Sequence, residues 1–133
     1  MADPELRLGW VIVYVDDPGE ASAFYQRVFG LRVEFVAESG TYAQMATGAT
    51  KLAFAAYTLG EGNFPGGVLR VEPGDPPRNV ELALVADDVD AAYARALEAG
   101  CTALAEPVDA PHGQRVSWVR DPFGTLVEIA SPM

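Results

Sequence analysis

The sequence predicts an α+β fold made of two tandem βαβββ modules, a curved mixed sheet around a cleft with the helices packed outside. Three observations predict it. An apolar strand ending in a double aspartate occurs twice, at 10–17 and 81–88, and each copy runs straight into a helix. The helix caps and stops repeat in step: Asp17 and Asp88 stand 71 positions apart, and Gly30 and Gly100 stand 70 apart. At 133 residues, half of them hydrophobic, the chain can bury the core of one domain.

The first module spans residues 8–57. Its opening strand reaches Val15, and Asp17 then supplies an N-cap, with Pro18 at the first helical position and Glu20 three residues on. Ala21, Phe24, Tyr25, Val28 and Phe29 recur at helical spacing, and Gly30 stops the helix. Strands follow at 31–37, 42–46 and 51–57, separated by the Ser39-Gly40 and Thr47-Gly48 turns. Residues 58–79, rich in Gly and Pro, read as the inter-module connection, with 68–71 as a short edge segment. In the second module, 80–132, Asp87 or Asp88 caps a helix carrying Val89, Ala92, Tyr93, Ala96 and Leu97. Strands are expected at 102–105, 114–120 and 126–130. Neither half could cover its sheet alone, so residues 1–133 are expected to form a single domain.

Composition narrows the partners. A net charge of −10 and a pI near 4.3 repel phosphate backbones and anionic lipid, so neither nucleic acid nor membrane is expected. The start MADPELRL lacks the basic and apolar regions of a signal peptide, and the apolar runs are strand-length. A single cysteine, Cys101, excludes an internal disulfide framework and suits a reducing compartment. A cytoplasmic location is expected.

Period-two alternation sorts the strand residues by face. Val11, Val13 and Val15 suit the helix side and leave Trp10, Ile12 and Tyr14 for the concave side. In the matching strand Leu82, Leu84 and Ala86 go inward and leave Glu81, Ala83 and Val85. In the last strand Val127 and Ile129 oppose Glu128, whose carboxylate then faces the concavity. Tyr42, Phe54, Tyr57 and Phe64 are candidates for further aromatic walls. A solvated Glu81 or Glu128 would take Arg115 or Arg70 as its ion partner. The one histidine, His112, lies in a turn and reads as a surface residue, and a His-rich metal site is excluded. Cys101 reads as a core thiol with no base beside it.

The helix segment 23–30, Ala-Phe-Tyr-Gln-Arg-Val-Phe-Gly, and the closing run 120–132 with its Asp-Pro-x-Gly-x-x-x-Glu motif resemble the vicinal oxygen chelate superfamily, which holds glyoxalases, bleomycin resistance proteins and extradiol dioxygenases. The resemblance covers about Leu8 to Pro132. It implies metal ligands at the start of each first strand and on each last strand, which here are Trp10, Ala53, Glu81 and Glu128. It also implies a cleft residue at Trp118. Indole and methyl groups offer no lone pair to a metal, and two carboxylates are fewer than the three or four donors a divalent ion needs.

Two functions follow. The first is a metal-free protein that sequesters an aromatic or cationic small molecule such as an antibiotic, with Trp10, Ile12, Tyr14, Ala53, Glu81, Trp118 and Glu128 lining its site and no cofactor. The family's bleomycin and mitomycin binding proteins resemble this pattern, and their dimers imply a homodimer here. The second is a glyoxalase-like lyase or isomerase using Glu81 and Glu128, either as ligands of a divalent metal or as acid and base.

Overall fold

The structure, a computed structural model, describes residues 4–72 and 74–133. In chain order these form β1 (Trp10–Val15), α1 (Pro18–Phe29), β2 (Val33–Val36), β3 (Tyr42–Met45), β4 (Lys51–Ala56), α2 (Tyr57–Asn63), β5 (Glu81–Val85), α3 (Val89–Glu98), β6 (Thr102–Asp109), β7 (Arg115–Arg120) and β8 (Leu126–Ala130). The fold is α+β, with the strands in two four-stranded mixed sheets, ordered β1-β4-β3-β2 and β5-β8-β7-β6. In each sheet the first strand of the module pairs parallel with its last, and the remaining pairs are antiparallel. The chain divides into two compact units between Leu69 and Arg70, inside the stretch expected to connect the modules.

In the first unit α1 starts where extended Asp17 accepts the Glu20 N–H at 3.1 Å. It ends where Gly30, at φ 74°, donates to the Gln26 carbonyl, and Leu31 donates to that of Tyr25. Its buried stripe of Ala21, Phe24, Tyr25 and Val28 rests on the sheet. Tyr25 is fully buried, with its ring 4.9 Å from Phe29 and 5.0 Å from Phe54. Phe54 therefore belongs to the core and not to a cleft wall, because the strand pleat puts it on the face opposite Ala53. Tyr57 is likewise buried, at the start of α2. The strand expected at 31–37 shrinks to β2, which carries a bulge between Val33 and Phe35.

The second unit repeats the plan. Asp88, extended, accepts the Ala91 N–H at 3.0 Å and caps α3. Val119, Val127 and Ile129 are buried on the helix side. β6 runs to Asp109, past the expected end at residue 105, with two register shifts. Pro107 is tolerated inside it because β6 is an edge strand and has one side with no ladder to donate to. Residues 68–71 form no strand. Among the described residues no helix is long and apolar enough to cross a membrane.

Candidate functional site

Each unit leaves one sheet face away from its main helix. In the first unit this face carries Trp10, Ile12 and Tyr14 from β1, with Ile12 in register with Ala53, and Ala53 in register with Gln44. Trp10 is 56% exposed and Ile12 45%, so the indole stands out from the sheet instead of completing a core. Its Nε1–H is already committed, donating to Gln44 Oε1 at 2.9 Å. The Tyr42 hydroxyl donates to the same oxygen at 2.7 Å. Gln44 Nε2 in turn donates to Glu34 at 2.8 Å, and Lys51 stands 3.5 Å from the other Glu34 oxygen. The hydrogen bond from Gln44, then the charge of Lys51, holds the Glu34 carboxyl below its usual range.

Two of the expected lining residues are withdrawn from this face. Ala53 occupies the right register but is fully buried beneath its neighbours. Tyr14 is half-buried against Gly60 of α2, where a side-chain carbon in place of the glycine hydrogen would lie 3.3 Å from the ring. Sequence reasoning missed Gln44, Glu34 and Lys51. Their alternation with buried Ala43, Met45 and Leu52 was the available signal.

In the second unit β7 is in the register that the motif suggested. Trp118 lies opposite Glu128, and Glu128 lies beside Ala83, so all three share the face with Glu81. Trp118 Nε1–H donates to Glu81 Oε1 at 3.3 Å. The carboxyls of Glu81 and Glu128 are close enough to act on one another. Burial first, then the neighbouring Glu81 carboxyl, raise the Glu128 carboxyl above its usual range, while His112 opposes the shift. His112 thus acts on the site through its field, and its Nε2 sits 2.6 Å from Gln114 Oε1.

Arg115 does not partner these carboxylates. It projects to the helix side of β7, 2.9 Å from Asp90 of α3 and 3.1 Å from Asp109. The main-chain carbonyl of Arg70 accepts from Arg78 at 2.8 Å. Cys101 is buried, and burial together with the Asp121 charge pushes its thiol up to about 12, far from a working nucleophile.

Register exposes a swap between the units. Trp10 corresponds to Glu81, each at the start of its module's first strand, and Gln44 corresponds to Trp118, each opposite the residue at 53 or 128. In both units an indole N–H bridges these two positions, from β1 in one and from β7 in the other.

The family's ligand positions carry few metal donors in either unit. Trp10 offers an N–H and Ala53 a methyl group in the first, and Glu81 and Glu128 two carboxyls in the second. Among the described residues no group of three or more His, Cys, Asp or Glu side chains converges.

Residues 7–129 match the family described as the Glyoxalase/Bleomycin resistance protein/Dioxygenase superfamily. The chain is 29% identical over 123 residues to a protein named "Putative glyoxylase CFP32" in Mycobacterium bovis and Mycobacterium tuberculosis. That alignment takes in 92% of this chain and 43% of the relative, so the chain spans less than half the length of the curated proteins it matches. A glyoxalase-related enzyme from Fulvimarina pelagi superposes with a TM-score of 0.79 at 22% identity, over 95% of this chain and 88% of that one. TioX from Micromonospora sp. ML1 superposes with a TM-score of 0.68 at 24% identity, over 93% and 97%. At these identities the structures establish the shared fold.

Proposed function

The chain belongs to the Glyoxalase/Bleomycin resistance protein/Dioxygenase superfamily, and from that premise we propose that it captures a small molecule without a metal and without converting it. Its ligand is a flat, partly apolar molecule carrying a positive group, in the manner of a sequestered antibiotic. The observation that carries this reading is the chemistry at the family's ligand positions. An indole N–H turned to Gln44 and a buried methyl stand in one unit, and only two carboxyls, at Glu81 and Glu128, stand in the other. Exposed indole faces are stacking surfaces, and a carboxylate beside one receives a cation. Trp118 hydrogen-bonded to Glu81 offers both at once.

The protein is proposed to act in the cytoplasm as a homodimer, which the open edges of the two four-stranded sheets favour. Titration of cationic aromatic compounds, followed by tryptophan fluorescence, tests the capture reading. Quenching that saturates at micromolar ligand, and that drops when Trp118 becomes Phe or Glu81 becomes Gln, is the expected result. Stoichiometric nickel, zinc, manganese or iron in protein purified without chelator, lost on Glu128→Ala, would refute it.

One observation favours a second reading. A carboxyl raised toward neutrality is a competent general base, and Glu128 is such a group. In that case the protein is a metal-free isomerase or lyase. Turnover of a carbonyl substrate that vanishes in Glu128→Gln while the substrate still binds would identify it.

A further inference from the structure

We propose that Arg120 is an anion-recognising residue of the second unit, and that a carboxylate or phosphate group of a ligand supplies the acceptor that its Nη2 lacks. Arg120 follows Trp118 by two positions on β7, so both project from the same face. The register Glu81–Leu126–Arg120 puts it in one row with Glu81, two strands away and about 10 Å between Cα atoms.

Main chain alone holds the guanidinium. Nε donates to the Gly124 carbonyl at 3.3 Å, and Nη1 donates to the Asp75 carbonyl. The Asp75 carboxylate accepts from the Glu72 N–H at 2.9 Å and stands 3.4 Å from Arg78. Among the described residues, the buried Nη2 has no hydrogen-bond partner.

An apolar side chain lies close by. A carbon added at Gly124, whose φ is 97°, would stand 2.5 Å from Val71 Cγ1 and 3.6 Å from Arg120 Nη2, so both groups lie near this glycine. A guanidinium is permanently charged and carries five N–H donors, and leaving a buried charged donor without an acceptor is costly. Water would satisfy the donor but not the charge. An anionic oxygen satisfies both, and Val71 is a side chain whose movement would make room for it. The inference stands on this guanidinium and not on the capture reading, so failure of the fluorescence titration leaves it intact.

The test uses the full ¹⁵N-labelled chain, titrated with inorganic phosphate and, separately, with acetate, while the Arg120 Nε–H and Gly124 amide resonances are followed. Chloride at matched ionic strength is the control. At least one anion is expected to give a saturable shift, and whichever binds tighter identifies a phosphate or a carboxylate as the natural group. Val71→Ala trims that side chain and tightens binding roughly fivefold, since more of the protein is then competent to bind. Arg120→Gln abolishes the shift while leaving the circular dichroism spectrum unchanged. The proposal is overturned if neither anion saturates in the parent and Val71→Ala proteins, if chloride reproduces the shift, or if the Gly124 shift survives in a folded Arg120→Gln protein. The Val71→Ala arm keeps the question answerable should Arg120→Gln fail to fold.

Discussion

The raised Glu128 carboxyl ties stability to pH in a direction opposite to that of a salt-bridged carboxylate. A folded-state pKa raised above the unfolded value means that the folded protein binds protons more readily. The stabilising contribution is then complete below the ordinary glutamate range and is lost as pH rises through the raised folded value. Glu128→Gln removes the charge conflict with Glu81. It is expected to be more stable than the parent at pH 7, by roughly 0.5 kcal/mol, the scale of a cross-strand pair. The difference should vanish at acid pH, where the Glu128 carboxyl is protonated, and urea unfolding across the range reads it. Cys101 allows a simpler check at this scale. With its thiol pushed up to about 12 by burial, it should resist alkylation at pH 8 in the folded chain and react once the chain is unfolded.

At the scale of elements, legibility tracked local chemistry. The two long helices were readable because each carries its own start and stop: Asp17 and Asp88 bond the first-turn N–H groups, and Gly30 takes the left-handed conformation at the end of α1. Asp88→Ala should therefore cost about 1 kcal/mol and lower the melting temperature by a few degrees, with Asp17→Ala similar. Thermal unfolding followed by circular dichroism measures both. α2 escaped the sequence because nothing in it speaks for a helix. Ala56 caps without a side-chain bond, and Gly60 and Gly62 weaken propensity. Packing formed it instead, with Gly60 leaving room for Tyr14, Phe64 and Val68. β6 continues past the expected end at Ala105 and through Pro107, which an edge strand tolerates. Faces were legible where alternation was strict, as for Glu81 and Glu128, whereas Trp118 on the less regular β7 was placed by the family resemblance. Phe54 was misplaced because β4 is buried on both faces from Leu52 onward, so its pattern carries no polarity to read.

For the whole molecule, the repeat in sequence became a repeat in register, and it is the departures from that repeat that separate the two faces. One presents Trp10 over a neutral, internally hydrogen-bonded amide, and the other presents Trp118 over a carboxyl pair. Only the second offers uncompensated negative charge, since Glu34 in the first is bonded by Gln44 and Lys51. The net charge of −10 adds a field that draws cations from beyond contact range. Salt shortens that range, from about 10 Å at 0.1 M to about 3 Å at 1 M. Capture of a cationic aromatic compound should therefore weaken roughly fivefold between low and high salt, mainly through slower association. A neutral compound of the same shape should bind within about twofold of its low-salt value, because stacking on an indole and burial of apolar area do not depend on the field. Stopped-flow fluorescence at several salt concentrations separates the two contributions. Equal salt dependence for both compounds would show that the acidic balance serves solubility alone and that the carboxyl pair does not select the ligand's charge.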